Sequence, residues 1–300
     1  MSRQSLKTIV SIALSAMVLF FLFKKESSTG NTVFTLPKEN DGEIVASEKV
    51  SQETVEDDDF ELLKSKIDKE IGTYGLYIKD LRSSSIYEFN SNEDFYPLSL
   101  FKLPLAYIVI RDVEKGNLSW DDQIEYKRED YYDGFGTVGS SGIGSKFRLD
   151  ILVELMIRES DNTAPKMIKR LMGEDYLNEE FKKITGDRNS DLFDEYLMTT
   201  PKKCVQIMEG MFYKKWINDQ SVDMLESFMY PTSYDGTLTP LLNSDLNFYH
   251  KVGISGSMYH NCGIVKSEEK ELLLCLMSKN ITEESFSNVN QYLADFINNL

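Results

Sequence analysis

Strand-patterned segments stand at both ends of this chain with a long helix-patterned stretch between them, and that order restricts the fold more than any other feature. Near the start, residues 74–80 (YGLYIKD) and 85–89 (SIYEF) alternate in strand fashion around the turn-rich Leu81-Arg82-Ser83-Ser84, the pattern of a hairpin. Near the end, residues 249–253, 258–266 and 271–278 read as further strands, and a closing helix follows over about 283–299. Phe60, Leu62, Leu63, Ile67 and Ile71 recur at helical spacing, which predicts a helix from about Asp59 to Ile71, ended by Gly72. The strands of the two ends must combine into one antiparallel sheet flanked by the terminal helices, with residues from about 99 to 230 forming an all-helical second lobe. The fold class is therefore α+β in two lobes, and the cleft between them is the expected site.

The first segment is built differently. Thr8 to Phe23 runs uncharged between Lys7 and Lys24-Lys25, the composition of an export signal. It is somewhat short of the roughly 20 residues that span a bilayer, but the flanking lysines can snorkel to the interfaces. Residues 1–23 are expected to be an uncleaved membrane anchor carrying an extracytoplasmic domain, with secretion after signal cleavage as the alternative. Residues 24–58, rich in Glu, Ser, Asp, Thr and Lys without an apolar period, read as a disordered acidic linker, and the folded domain as 59–300.

Charge excludes one class of partner. With 33 basic against 49 acidic side chains the formal charge is -16, which repels nucleic-acid phosphates. No Gly-rich phosphate loop, Cys/His zinc spacing or acidic calcium loop occurs, so no metal and no cofactor is implied. The only histidines, His250 and His260, both lie in strand-like stretches and read as ordinary surface or packed residues, which disfavours a Ser-His-Asp enzyme. Cys204, Cys262 and Cys275 are too few for a disulfide framework and read as small buried hydrophobes. One exception arises if the last hairpin turns at Glu268-Glu269, because Cys262 and Cys275 then fall opposite each other.

Three polar groups need a reason. In YPLSLFKLPLAYIVIRD, Ser99 and Lys102 are three residues apart on an apolar helix, so their side chains share a face at its start. There the free N–H groups favour developing negative charge, and burial lowers a lysine pKa toward that of a usable base. In MIRESDNTAPKMI, Ser160-Asp161-Asn162 interrupts a helical pattern and supplies a hydroxyl and an amide at a turn. In YHKVGISGSMYH, Lys251-Val252-Gly253 lies on a strand whose glycines permit close backbone approach. Each taken alone has a plainer reading, as a helix-capping serine, an inter-helix turn or an edge-strand lysine.

Together and in this order the three stretches resemble the S-x-x-K, S-D-N and K-T-G motifs of class A β-lactamases and the related penicillin-binding DD-peptidases. The likeness covers about residues 59–300 and extends to KFRLDILVELMIRESDNTAPKMIKRLMG and LMTTPKKCVQIM. It implies the two-lobe β-lactamase-like fold and an acyl-enzyme formed at Ser99. By the same resemblance, Lys102 helps to deprotonate Ser99, and Ser160 passes the proton to the leaving nitrogen. Asp161 anchors the turn, Asn162 holds Lys102 and the substrate amide, and Lys251 with Gly253, Ile254 and Ser255 lines the substrate site. The N–H groups of Ser99 and Ile254 would form the oxyanion hole. The substrates implied are β-lactams or peptidoglycan-like peptide amides.

The chain departs from that family in two places. Glu174-Asp175-Tyr176-Leu177-Asn178 spells the E-x-x-L-N motif of the deacylating glutamate, but it stands too soon after Asn162 and too far ahead of Thr199-Thr200-Pro201, and reads as part of a helix. Glu174, Glu179, Glu180, Asp187, Asp191, Asp194 and Glu195 are the remaining candidates for a base; without one, deacylation should be slow. Val252 stands where the family has threonine or serine, removing a hydroxyl whose hydrogen bond to a substrate carboxylate is worth about 1.5–3 kcal/mol. Three readings stay open: a hydrolase that turns over, a penicillin-binding enzyme with long-lived adducts, and a non-catalytic domain that holds cell-wall peptides or a partner protein.

Overall fold

The computed structural model describes residues 58–194 and 196–300; the expected anchor at 1–23 and all but the last residue of the expected linker lie outside the described residues. Among the described residues no helix is long and apolar enough to cross a membrane. The chain runs α1 (Asp58–Ile67), β1 (Thr73–Asp80), β2 (Ile86–Phe89), α2 (Lys102–Glu114), β3 (Gln123–Glu125), β4 (Lys146–Arg148), α3 (Leu149–Arg158), α4 (Ala164–Met172) and α5 (Glu174–Thr185). It continues through α6 (Pro201–Phe212), α7 (Asp219–Met229), β5 (Asn247–Ser255), β6 (Met258–Lys266), β7 (Glu271–Lys279) and α8 (Glu283–Asn299).

The two ends meet as their patterning requires. The main sheet has the order β2-β1-β7-β6-β5, antiparallel throughout, and β1 pairs with β7 from Thr73↔Lys279 to Asp80↔Leu272. β7, ELLLCLMSK, shows no alternation because both of its faces are covered. Leu272, Leu274 and Leu276 pack with Phe60 and Leu63 of α1 and Val289 and Leu293 of α8. Leu273, Cys275 and Met277 pack on the other side with Leu103 of α2 and Val205 and Met208 of α6. Each leucine so enclosed contributes about 1.5–3 kcal/mol over leaving it exposed.

Three expectations change. α1 stops at Ile67 rather than Ile71, because the N–H groups of Lys69 and Glu70 turn back to Lys66 and Ile67, leaving Ile71 exposed. The stretch from 99 to 230 is not wholly helical: β3 and β4 form a ribbon of three-residue strands, too short to display a period. The cysteines are not all plain hydrophobes. Ser267 N–H donates to Lys270 O across the Glu268-Glu269 turn, Cys262 stands opposite Cys275, and the two form a disulfide with Cα atoms 4.0 Å apart. Cys204, from α6, brings a third sulfur within 4.8 Å of both, and burial raises its thiol pKa to about 11.

Candidate active site

The segment entering α2 is shaped by what lies against it. Residues 98–101 form a 3-10 turn, with Leu98 at φ 49, a left-handed conformation uncommon for leucine. Edge strand β5 secures that turn, because a side chain at Gly253 would come within 2.9 Å of Leu98 Cβ and 3.3 Å of Pro97 O. His260 acts as a second clamp: its Nδ1 accepts the Ser278 N–H at 3.2 Å and its Nε2–H donates to Tyr96 O at 2.8 Å. Burial lowers the His260 pKa to about 4, so the ring stays neutral in this donor and acceptor arrangement. Phe95 and Thr199 exchange both backbone hydrogen bonds at 2.9 Å, tying the approach to α6 to the same place. Ser99 is thereby left half-buried at the mouth of α2.

Lys102, one turn on, is fully buried among oxygens. Its Nζ lies 3.1 Å from Ser99 Oγ, 2.6 Å from Ser160 O, 3.2 Å from Ser160 Oγ and 2.8 Å from Asn162 Oδ1. Burial lowers its pKa from 10.5 to about 7, Asp161 opposing in part. A neutral amine has two hydrogens and one lone pair. With the hydrogens donated to Ser160 O and Asn162 Oδ1, the lone pair can accept a hydroxyl hydrogen from Ser99 or Ser160.

The turn between α3 and α4 delivers these partners. Ser160 is buried at φ 54, and Asp161, also buried, accepts the N–H groups of Thr163 at 2.8 Å, Ala164 at 2.7 Å and Val138 at 2.8 Å. The loop bearing Val138 can approach only because two of its residues lack side chains. A Cβ on Gly136 would fall 2.1 Å from Asp161 Oδ2, and one on Gly134 would fall 2.6 Å from Asn162 Nδ2. Asn162 Nδ2 donates to Asp133 O at 3.2 Å, which orients Oδ1 toward Lys102. The sequence signal for this loop was the glycine alternation in DGFGTVG.

Lys251, on β5, is also buried; its Nζ donates to Val252 O at 3.0 Å and lies 6.0 Å from the centre of the Tyr234 ring. Burial and the nearby Lys102 push its pKa well down. Gly253 is buried under the Leu98 turn, Ile254 and Ser255 are half-buried at the end of the strand, and Val252 is buried. Tyr234 packs edge-on against Phe135 from the opposite loop, with ring centres 5.6 Å apart. Neither aromatic was singled out from the sequence, since each sits in a loop without periodicity.

The described candidates for the deacylating carboxylate have other partners, and Asp194 accepts the Tyr196 N–H at 2.8 Å. Glu174 opens α5 and pairs with Lys169 at 2.6 Å, and the whole E-x-x-L-N look-alike is helical. Glu179 and Glu180 pair with Lys182 and Lys183 along α5, Asp191 pairs with Lys182, and Asp187 accepts from Ser190 at 2.6 Å. Glu195 lies outside the described residues. A cavity beside the nucleophile turn, of about 40 Å³, is walled by Leu100, Phe101, Leu197, Met198 and Thr199 among others, and none of its lining residues is a carboxylate.

A serine hydroxyl beside a buried amine of lowered pKa, in the cleft of this two-lobe α+β fold, defines a serine hydrolase of the β-lactamase and penicillin-binding type. The chain belongs to the β-lactamase enzyme family, whose model matches residues 61–299. Among curated relatives it is similar to β-lactamase CARB-3 of Pseudomonas aeruginosa, 23% identical over 195 residues, 61% of this chain and 67% of that one. It is similar also to β-lactamase 1 of Bacillus cereus, 24% identical over 163 residues, 54% of this chain and 50% of that one. Among solved structures, PBP-A superposes with a TM-score of 0.73 at 22% identity, covering 81% of this chain and 96% of that one. An ancestral class A β-lactamase superposes at 0.71 with 20% identity, covering 79% and 99%.

Proposed function

We propose that this hydrolase is acylated at Ser99 by β-lactams or cell-wall peptide amides and that the adduct is long-lived. The observation that carries the reading is the Lys102 amine, buried within 3.1 Å of Ser99 Oγ and with its pKa near 7. Lys102 Nζ takes the Ser99 hydroxyl proton as the oxygen attacks the carbonyl carbon, and the N–H groups of Ser99 and Ile254 receive the oxyanion. When the C–N bond breaks, Ser160 supplies the proton to the departing nitrogen and is reprotonated from Lys102. Asn162 holds the substrate amide, and Lys251, with Gly253 and Ser255 at the strand end, receives its carboxylate.

Slow release is supported by the placement of the E-x-x-L-N look-alike, whose Glu174 opens helix α5 and pairs with Lys169. A positioned general base contributes typically about 10²- to 10⁴-fold. One structural neighbour, a point mutant of PBP-A, is described as an acyl-enzyme complex with penicillin G. Residues 1–23 are proposed as a membrane anchor, 24–58 as a linker and 59–300 as an extracytoplasmic hydrolase domain.

The test incubates residues 56–300 with a fluorescent penicillin and a chromogenic cephalosporin, wild type beside Ser99→Ala. Stoichiometric labelling of wild type alone, with little turnover, is the expected result. Steady turnover would refute the long-lived adduct, and absence of any Ser99 adduct with lactam or peptide ester would refute the acyl-enzyme. Fractionation of cells expressing the full chain tests the anchor.

A further inference from the structure

His250, which the reaction above leaves unused, precedes Lys251 on β5 and is buried with its ring stacked on Phe248, centres 4.5 Å apart. Both ring nitrogens have oxygen partners: Nδ1 lies 2.7 Å from Asn261 Oδ1 and Nε2 lies 2.9 Å from Asp235 Oδ1. Asp235 belongs to the loop between α7 and β5, and it holds that loop together by accepting the Thr232 N–H at 2.9 Å and the Thr232 hydroxyl at 2.9 Å. Thr232 Oγ1 in turn accepts the Tyr234 N–H at 3.0 Å. Asn261 Nδ2 donates to Thr237 Oγ1 at 3.2 Å, so one connected network fastens both ends of residues 232–237 to β5 and β6.

The loop so fastened reaches the active site through Tyr234. That ring faces the Lys251 side-chain nitrogen, its hydroxyl donates to Glu159 O at 3.3 Å next to Ser160, and its edge meets Phe135. We propose that His250 is a positioning residue that, through Asp235, sets Tyr234 over Lys251 and so governs how the site admits a carboxylate-bearing substrate. The proposal rests on the acyl-transfer reading given above. It adds that recognition of the substrate carboxylate, not the chemistry at Ser99, depends on the His250–Asp235 link. Gly263, paired with His250 on β6, lets the two strands approach closely there: a Cβ on it would fall 2.2 Å from Tyr249 O and 2.7 Å from His250 Cα.

The test compares wild type, His250→Leu, His250→Gln and Asp235→Asn on two acylating probes. One is a penicillin, which carries a carboxylate; the other is p-nitrophenyl acetate, which does not. His250→Leu and Asp235→Asn should slow penicillin acylation roughly tenfold at sub-saturating concentration while the Ser99-dependent burst with the ester is unchanged. His250→Gln retains a donor for Asp235 and should recover part of the loss. Equal losses on both probes, or no loss on penicillin, would overturn the proposal. Should wild type fail to be acylated by penicillin, the acyl-transfer reading falls by itself, and amide hydrogen exchange decides the link. Faster exchange at Thr232 and Tyr234 in Asp235→Asn sustains it, and unchanged exchange removes it.

Discussion

Titrating Lys102 against the acylation rate puts the central claim at risk. Holding this amine protonated in the folded site, with its pKa near 7 rather than 10.5, costs about 5 kcal/mol, so the neutral form is accessible at ordinary pH. The base is about one-tenth neutral at pH 6, half at pH 7 and nine-tenths at pH 8. The acylation rate constant at saturating penicillin should therefore rise about tenfold from pH 6 to pH 8 and then level off. A lysine of ordinary pKa would give about a hundredfold rise over the same interval and no plateau below about pH 10. Stopped-flow quenching of tryptophan fluorescence or quenched labelling supplies the rate, and saturation separates it from penicillin binding near Lys251. A slope of tenfold per pH step continuing past pH 9, or a rate indifferent to pH, would refute Lys102 as the proton acceptor. The same depression acts on stability with a defined sign. Between about pH 7 and pH 10.5 the unfolded chain holds a proton that the folded one lacks, so this group's penalty is full below pH 7 and fades toward pH 10.5.

Asp161→Ala strands three buried backbone N–H groups and should cost about 3 kcal/mol or more in urea unfolding, with acylation lost as the turn relaxes. Met198→Glu sets a carboxylate at the wall of the cavity beside the nucleophile turn and should speed loss of the penicillin adduct by about tenfold or more, read by mass spectrometry of the adduct over time. Cys262→Ala opens a loop of sequence separation 13 and should lower stability by about 3 kcal/mol, whereas Cys204 should resist thiol reagents until the protein is unfolded.

The parts legible in the sequence were those governed by local pattern. The closing helix and β6 fall where their periodicity puts them, and the pairing of the terminal hairpins follows because neither sheet half can cover itself. Ser99, Lys102, Ser160 and Asn162 could be matched to motifs, and the structure brings the other three around the Lys102 amine. Features that depend on close approach were not legible. Gly136 is needed only because Asp161 arrives from a distant turn, and His260 matters only because Tyr96 O lies within reach of its ring. The disulfide was open in the sequence only on condition that the last hairpin turned at Glu268-Glu269, and the proximity of Cys204 depends on how α6 packs on the sheet, which no strand pattern encodes.

The pairing of β1 with β7 has a kinetic consequence. Tyr74 to Ile78, an apolar run buried in the finished molecule, has only the short β2 as a local partner, and its other edge must wait for residues 272–279. Contacts of such sequence separation are slow to form, so the main sheet closes late and the early strands stay exposed during synthesis. A chain cut before Leu272 keeps Ser99, Lys102, Ser160, Asn162 and Lys251, yet it has no central strand to join its two ends. Such a fragment should aggregate through its open strand edges instead of folding into a smaller enzyme.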